Sequence, residues 1–435
     1  MLGRRRSWIL VSQIFIIIGI LGMALTNPIA GVQATLERMA LFAVLLGFSS
    51  ATQDIAIDAY RIESDSSDMQ ALLSSTYIAG YRIGMIVAGA GALLIAGQLG
   101  SNMDSYSYEA WRTTYIIMAA SMLVGVVTTF VVKEPTVQRA SSDTEFGNAD
   151  YVKFLGLFAM IAITFGSTFF YGSGLSTGIK ASLMPIVGGG LSKFLGESSR
   201  FVLAIAAAGA VMFAMIQTPL VNRKMVDQTY LNPIKDFFQR YGASTAVLLL
   251  ALVGLYRISD IVLGVISNVF YQDLGFTKPQ IAGIVKTFGL IMTLLGGFLG
   301  GLMTIRFGVI RILFWGALLS ALTNVLFMAL AYMGNSELML YVVISADNLA
   351  AGLASAAFVA FLSSLTNVSF TAVQYAIFTS LMTLFPKLLG GYSGTMVESM
   401  GYANFFAFTA VLGLPILWLV WYAGKKMKIS DMQLS

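Results

Sequence analysis

Residues 38 to 60 read RMALFAVLLGFSSATQDIAIDAY, an apolar run that carries two carboxylates, Asp54 and Asp58, in its last third. A helix of about 20 apolar residues crosses the roughly 30 Å hydrocarbon layer of a bilayer. A hydropathy scan finds about a dozen segments of this kind along the chain. The sequence therefore predicts an all-α, polytopic membrane protein. The predicted spans cover residues 8–26, 38–60, 71–98, 112–132, 153–175, 201–220, 244–272, 281–305, 310–333, 338–364, 371–391 and 401–423.

Composition narrows the possible functions. Of the 435 residues, 57% are hydrophobic and 11% are charged, which excludes an ordinary water-soluble enzyme. The chain has neither cysteine nor histidine, so disulfides, thiol nucleophiles and the usual zinc ligands are excluded, and we expect no metal site. The only Gly-Lys dipeptide, at residues 424–425, lacks the other residues of a P-loop, so no nucleotide cofactor is expected. A secondary transporter driven by an ion gradient fits these limits.

Basic residues predict the topology. If the amino terminus is cytoplasmic, most of the 26 Lys and Arg residues fall in loops on the cytoplasmic side, which places both termini there. The formal charge of +5 therefore reflects topology rather than nucleic-acid binding. Polar stretches at 133–151 and 221–242 are interpreted as linkers. The predicted domains are a four-helix bundle (1–133), a cytoplasmic linker with an inserted hairpin at about 153–220 (134–242), a six-helix bundle (243–424) and a cytoplasmic tail (425–435).

Eight ionisable side chains fall well inside the predicted spans. At roughly 2.5 to 3.5 kcal/mol each at the bilayer centre, eight unpaired charges would cost more than a typical folding free energy. They must therefore pair with one another or line a water-filled cavity, as substrate and proton pathways do. The eight residues are Asp54, Asp58, Arg82, Arg257, Asp260, Lys286, Asp347 and Lys387.

Asp54 and Asp58 are four residues apart and share one face of a helix. Because apolar surroundings and a neighbouring like charge favour the neutral form of a carboxyl group, one of the two could hold and release a proton. Arg82 in the next span is the expected countercharge. The alternative is that Asp58 forms only an ion pair with Arg61.

The other charges suggest a site for an anionic substrate. Arg257 and Asp260 are three residues apart and could neutralise each other, which leaves a structural and a functional role equally open. Lys286 and Lys387 have no acid within a helical turn in sequence and are candidates to bind a substrate carboxylate. Asp347 could instead neutralise one of these lysines.

The sequence resembles the AmpG-type muropeptide permeases of the major facilitator superfamily. The most specific similarity is the run QDIAID at 53–58. The others are GRRRSW (3–8), GYRIGM (80–85), DFF (236–238), LYRISD (255–260), VKTFGL (285–290) and SAAFVA (355–360).

This resemblance implies proton-coupled import of anhydro-muropeptides, as part of peptidoglycan recycling, across the bacterial inner membrane. Asp54 and Asp58 would be the proton-linked acids and Arg82 their countercharge. The substrate site would include Gln53, Arg257, Asp260, Lys286, Asp347 and Lys387. The partners would be an anionic small molecule, protons and the lipid bilayer, and we expect a monomer.

The family pattern has two membrane helices before the GRRR loop, whereas this chain starts two residues before it. We therefore expect a major facilitator-like bundle that is shortened at the amino terminus: a fragment, the product of an internal start codon, or a chain completed by a partner. Other functions stay open. The related acetyl-coenzyme A carriers share the QDIxxD run, and an inactive or regulatory membrane scaffold is possible. An intramembrane aspartyl protease is disfavoured because its two acids normally come from two helices.

Overall fold

The structure, a computed structural model, describes residues 3–27, 32–66, 69–101, 105–136 and 146–434, with no side-chain description for residues 32–34, 278 and 428–434. All regular secondary structure within these ranges is helical. Only helices satisfy every backbone hydrogen bond within one spanning segment, so the long apolar runs dictate this outcome. Twelve of the described helical segments are long and apolar enough to cross a membrane, and the predicted fold class is confirmed.

The chain forms two compact units. Unit 1 comprises Met1–Arg139, Leu290–Leu313 and Ala351–Ala376, and unit 2 comprises Ala140–Gly289, Phe314–Ala350 and Ile377–Ser435. The domain boundaries predicted from the sequence stay a prediction. The first half of the chain contains α1 (Arg4–Ala24), α2 (Val32–Ser64), α3 (Gln70–Ile86), α4 (Ala92–Gln98), α5 (Tyr108–Val131), α6 (Asn148–Tyr171) and α7 (Ser173–Ile216).

The second half consists of long helices and two short ones, α8 and α11. Its helices are α8 (Arg223–Val226), α9 (Asn232–Leu255), α10 (Ile258–Asp273), α11 (Lys278–Gln280), α12 (Gly289–Phe307), α13 (Val309–Met333), α14 (Glu337–Leu365), α15 (Thr371–Gly390) and α16 (Ser393–Leu434). Three π-helical segments interrupt or join these helices, at Val87–Gly91, Asp227–Leu231 and Ile281–Phe288.

The region between the fifth and sixth predicted spans is helical, although no span was predicted for residues 176–200. Gly188 has φ 77° and breaks α7 into two helical segments. The Lys180 ammonium lies 2.7 Å from Glu197, and the Ser176 hydroxyl donates to the same carboxylate at 2.9 Å. Lys180 and Ser176 lie before the break at Gly188, and Glu197 lies after it. The two segments of α7 therefore fold back on each other.

A buried ion pair stabilises one end of unit 1. Arg5 donates two hydrogen bonds to the Glu63 carboxylate, at 2.9 and 2.5 Å, and the side chains are only 8% and 1% exposed. The Glu134 carboxylate accepts the backbone N–H groups of Arg5 and Arg6 at 2.7 and 3.1 Å, which places a negative charge at the positive end of α1. The basic residues near the amino terminus therefore stabilise the fold in addition to indicating topology.

Glycines of α12 allow close helix packing in unit 1. The Ser75 hydroxyl of α3 donates to the Gly297 carbonyl at 2.8 Å. A Cβ atom on Gly352 of α14 would collide with the Thr293 carbonyl and would stand 2.7 Å from the Gly297 nitrogen. The small residues of α12 and α14 thus allow the backbones of these helices to approach closely. At Gly80, by contrast, an added Cβ would meet no described atom within 4 Å, so no close helix packing occurs there.

We expect Gly352→Ala to destabilise the protein by about 1 to 3 kcal/mol, because the new methyl group overlaps backbone atoms of α12 that cannot move independently. The matched control is Gly80→Ala on α3, which adds the same group in open space. Thermal unfolding of the detergent-purified variants measures the difference. Equal melting temperatures for the two variants would contradict the packing described for α12 and α14.

We expect Glu63→Ala to destabilise the protein by about 3 to 5 kcal/mol, because it leaves the Arg5 guanidinium buried without its countercharge. Glu109→Ala is the control. It breaks the Arg112–Glu109 pair, whose side chains are 42% and 72% exposed, and should cost about 1 kcal/mol or less. The same thermal assay compares the two. A small loss for Glu63→Ala would show that Arg5 finds another partner.

Candidate functional site

Asp58, the second acid of the QDIAID run, is buried on α2 and forms an ion pair. One of its carboxylate oxygens lies 3.6 Å from the Arg61 guanidinium, with the two side chains 11% and 5% exposed. Asp54 lies one turn earlier, within electrostatic range of Asp58, and is exposed. The two acids therefore lie within one helical turn of each other, and Asp58 is the more deeply buried.

The countercharge beside Asp58 is Arg61, whereas the sequence analysis expected Arg82. Arg61 is three residues after Asp58 on the same helix, so the two side chains share a face. Arg82 is half-buried on α3, and Gln53 is half-buried next to Asp54. The pair between Asp58 and Arg61, the alternative stated from the sequence, is thus present in the structure, and the role of Arg82 as a countercharge stays a prediction.

Arg61 also makes contacts that the sequence did not predict. Its guanidinium donates to Gln70 and Ser74 of α3 at 3.1 and 3.2 Å, to Ser363 of α14 at 3.1 Å, and to Tyr375 of α15 at 3.0 Å. The sequence signal for the pair with Asp58 was the three-residue spacing. No sequence signal pointed to the partners on α14 and α15, because they are about 300 residues away.

Unit 2 brings together three of the predicted site residues. The Arg257 guanidinium lies 3.2 Å from the Asp260 carboxylate, with side chains 23% and 16% exposed. Asp347 of α14 lies within electrostatic range of both and accepts a hydrogen bond from the Thr323 hydroxyl at 3.2 Å. Arg257 from the turn before α10, Asp260 from α10 and Asp347 from α14 therefore form one polar cluster among apolar helices.

A break in the helix creates this cluster. α9 ends at Leu255 and α10 begins at Ile258, so Arg257 lies in the turn between them and Asp260 in the first turn of α10. A carboxylate in the first turn is favourable because the amino-terminal end of a helix carries partial positive charge. Discontinuous helices of this kind are typical of binding sites in transporters.

Buried polar contacts hold the broken helix in position. The Ser259 hydroxyl donates to the Thr409 carbonyl of α16 at 2.6 Å and accepts from the Asn324 amide of α13 at 2.7 Å. Ser393 of α16 donates to the Val262 carbonyl at 2.7 Å. These residues were missed in the sequence analysis because Ser and Asn are common in membrane helices and carry no charge to mark them.

The lysines do not pair with Asp347. Lys286 is exposed in the π-helical segment Ile281–Phe288 and donates to the Asn268 amide oxygen at 3.0 Å. Lys387 is exposed on α15, and within the described part of the chain its ammonium group makes no hydrogen bond or ion pair. The alternative that Asp347 neutralises one of these lysines is therefore wrong for this structure, in which Thr323 and the Arg257–Asp260 pair surround Asp347. Within the ranges described, no group of three or more acids is arranged to hold a metal ion.

Comparisons with known proteins identify the family. The sequence profile of the Major Facilitator Superfamily matches residues 1–259. The putative transporter AmpG 4 of Rickettsia felis is 28% identical over 427 residues, which are 98% of this chain and 81% of the relative. The anhydromuropeptide permease of Escherichia coli K12 is 25% identical over 419 residues, covering 96% of this chain and 66% of the relative.

A solved structure supports the same fold. The proton:xylose symporter XylE of this superfamily superimposes with a TM-score of 0.58 at 13% identity, over 96% of this chain and 80% of that one. The resemblance to AmpG-type permeases is confirmed by the names of the relatives, and the prediction that the protein is not an enzyme is also confirmed. The chain belongs to the Major Facilitator Superfamily and is a multi-pass inner-membrane transporter whose relatives are of the AmpG type.

Proposed function

We propose that the protein imports anhydro-muropeptides by proton symport across the bacterial inner membrane, as part of peptidoglycan recycling. The observation that carries the proposal is a buried acid–base pair, Asp58 and Arg61, inside a spanning helix of a chain whose relatives include a permease named for this substrate. Both termini would be cytoplasmic, and the protein would act as a monomer.

The proton pathway would use the two acids of α2 in sequence. Asp54 is exposed and can exchange protons with water, while Asp58, one turn away, is buried beside a guanidinium. A proton taken up by Asp54 could pass to Asp58 over one helical turn. Arg82, half-buried on α3, is proposed as a further positive charge that favours the ionised form of these acids.

The substrate site would combine a cationic part with a polar cluster. Muropeptides carry free carboxylates, and the exposed ammonium groups of Lys286 and Lys387 are suited to bind them. Arg257, Asp260 and Asp347 would contact polar groups of the substrate, and Gln53 would contribute an amide. The π-helical segment around Lys286 supports this assignment, since such irregularities often occur at functional sites.

The acetyl-coenzyme A carriers remain the second candidate, because their substrate is also anionic and the exposed lysines would suit it equally. An inactive or regulatory scaffold is the third. Proteoliposomes containing the purified protein, loaded at alkaline pH and diluted into acidic buffer, separate the three. We expect accumulation of radiolabelled anhydro-muropeptide that coenzyme A esters do not inhibit. Uptake of the labelled ester in place of muropeptide would favour the carrier function, and no uptake of either would favour the scaffold.

We expect Asp54→Asn to abolish gradient-driven uptake while the protein still inserts into the membrane, because an amide cannot bind and release the coupled proton. The control is Asp65→Asn, which neutralises an exposed acid just after the end of α2. Uptake is measured under an imposed proton gradient, and insertion by the amount of protein recovered in the membrane. Unchanged accumulation in Asp54→Asn would refute the assignment.

We expect Lys286→Ala to weaken binding of anhydro-muropeptide about tenfold or more, because one charge-assisted hydrogen bond to the substrate is lost. The effect on proton exchange should be smaller. Lys193→Ala removes an exposed lysine from α7 and serves as the control. Equilibrium binding of labelled substrate gives the first quantity, and a pH-sensitive dye inside proteoliposomes gives the second. Equal losses of both quantities would argue for a structural role of Lys286.

A further inference from the structure

Arg61 lies at the meeting point of four helices in unit 1. It is 6% exposed and lies in the last turn of α2. Its hydrogen-bond acceptors come from three other helices: Gln70 and Ser74 on α3, Ser363 on α14 and Tyr375 on α15. We call Arg61 and these four acceptors the Arg61 junction.

The side chains of the Arg61 junction are themselves fixed. Ser74, Tyr375, Ser363 and Gln70 are 0%, 3%, 4% and 4% exposed. The two serines donate to carbonyls of their own helices, and the Gln70 amide donates to the Ile62 and Asp65 carbonyls at 3.2 Å each. The two serines are therefore held by their own helices and Gln70 is held against the end of α2, so the guanidinium joins α14 and α15 to α2 and α3 at this point.

All four acceptors in the Arg61 junction are uncharged, so the charge balance depends on Asp58. Other titratable groups within electrostatic range are Asp54 on α2, Tyr77 on α3 and Tyr375 on α15. Of these, Asp58 forms the ion pair with Arg61, at 3.6 Å, and its Oδ1 atom accepts no hydrogen bond from any described residue. If Asp58 loses its charge, a buried guanidinium keeps only neutral partners, which is strongly unfavourable.

We propose that Arg61 is a positioning residue that couples the charge on Asp58 to the packing of α14 and α15 against α2 and α3. While Asp58 is ionised, the guanidinium stays buried and the Arg61 junction stays closed. A proton on Asp58 removes the countercharge, and the junction then opens because the guanidinium must reach water. This inference rests on the proposed function only in naming Asp58 as a proton-linked acid.

Labelling of a single cysteine measures this opening without transport. The chain has no native cysteine, so Thr366→Cys at the end of α14, a position 8% exposed, gives a unique probe for a water-soluble maleimide. Rates are normalised to those of Ser182→Cys, an exposed serine in unit 2, which corrects for the chemistry of the thiol at each pH. Purified protein without substrate or gradient is used, so an absence of muropeptide uptake would not change this readout.

We expect labelling at Thr366→Cys to increase about tenfold as the pH falls and Asp58 is protonated, since one buried charge loses its partner. Adding Asp58→Asn should give the fast rate at all pH values. Adding Arg61→Met to that variant should restore the slow rate, because neither charge is then left unpaired, and Arg61→Lys should retain part of the pH dependence.

Two results would overturn the inference. One is slow labelling of the Asp58→Asn variant at every pH, and the other is an unchanged pH profile in the single Arg61→Met variant. A merely structural role for Arg61 predicts fast labelling in both Arg61→Met variants, with no rescue in the double variant. The uptake assay on the parent protein separately tests the proposed function, so failure of one does not imply failure of the other.

Discussion

The free-energy cost of placing a charge inside an apolar helix bundle determines where this protein can carry its buried charged side chains. A charged group removed from water must regain its lost solvation from an opposite charge or from oriented hydrogen-bonding groups. The chain meets this requirement twice by the same local device, a basic and an acidic residue three positions apart, in Asp58–Arg61 and in Arg257–Asp260. In both pairs the opposite charge lies three residues away in the chain. Hydrogen bonds to other helices are made by Arg61 in the first pair and by Ser259, which lies between Arg257 and Asp260, in the second.

This device explains which parts of the site could be predicted from the sequence. A three-residue spacing on a helix can be read directly from the chain, so the Arg257–Asp260 pair was predicted and the Asp58–Arg61 pair was considered as an alternative. Partners from other helices could not be predicted. Asn268 beside Lys286, Thr323 beside Asp347 and Glu63 beside Arg5 are set by tertiary packing. The two arginines illustrate the difference, because Arg61 shares a helix with Asp58, whereas any contact of Arg82 on α3 with that acid depends on tertiary packing.

The fold was predictable for a similar reason. Twelve apolar segments, each long enough to cross a bilayer, determine twelve candidate spans because hydropathy is a property of local sequence. Hydropathy does not register helices outside the spans. The first segment of α7, before Gly188, and the helical residues before Gly242 are mixed in polarity, so hydropathy predicts no complete span at either place. At both places a glycine with positive φ reorients the chain, and one glycine among 43 is not a distinctive signal.

The two charge pairs differ in a way that matters for transport. Asp58 and Arg61 lie within intact α2, and the hydrogen bonds of the guanidinium reach the ends of other helices, so a change of charge there acts on helix packing. Arg257 and Asp260 lie where the backbone itself is broken, with Ser259 between them fixed to α13 and α16, so a change there acts on the turn between α9 and α10. Local pairing makes each pair stable enough to exist in an apolar bundle, and because each pair is neutral overall, addition of a single proton is enough to unbalance it.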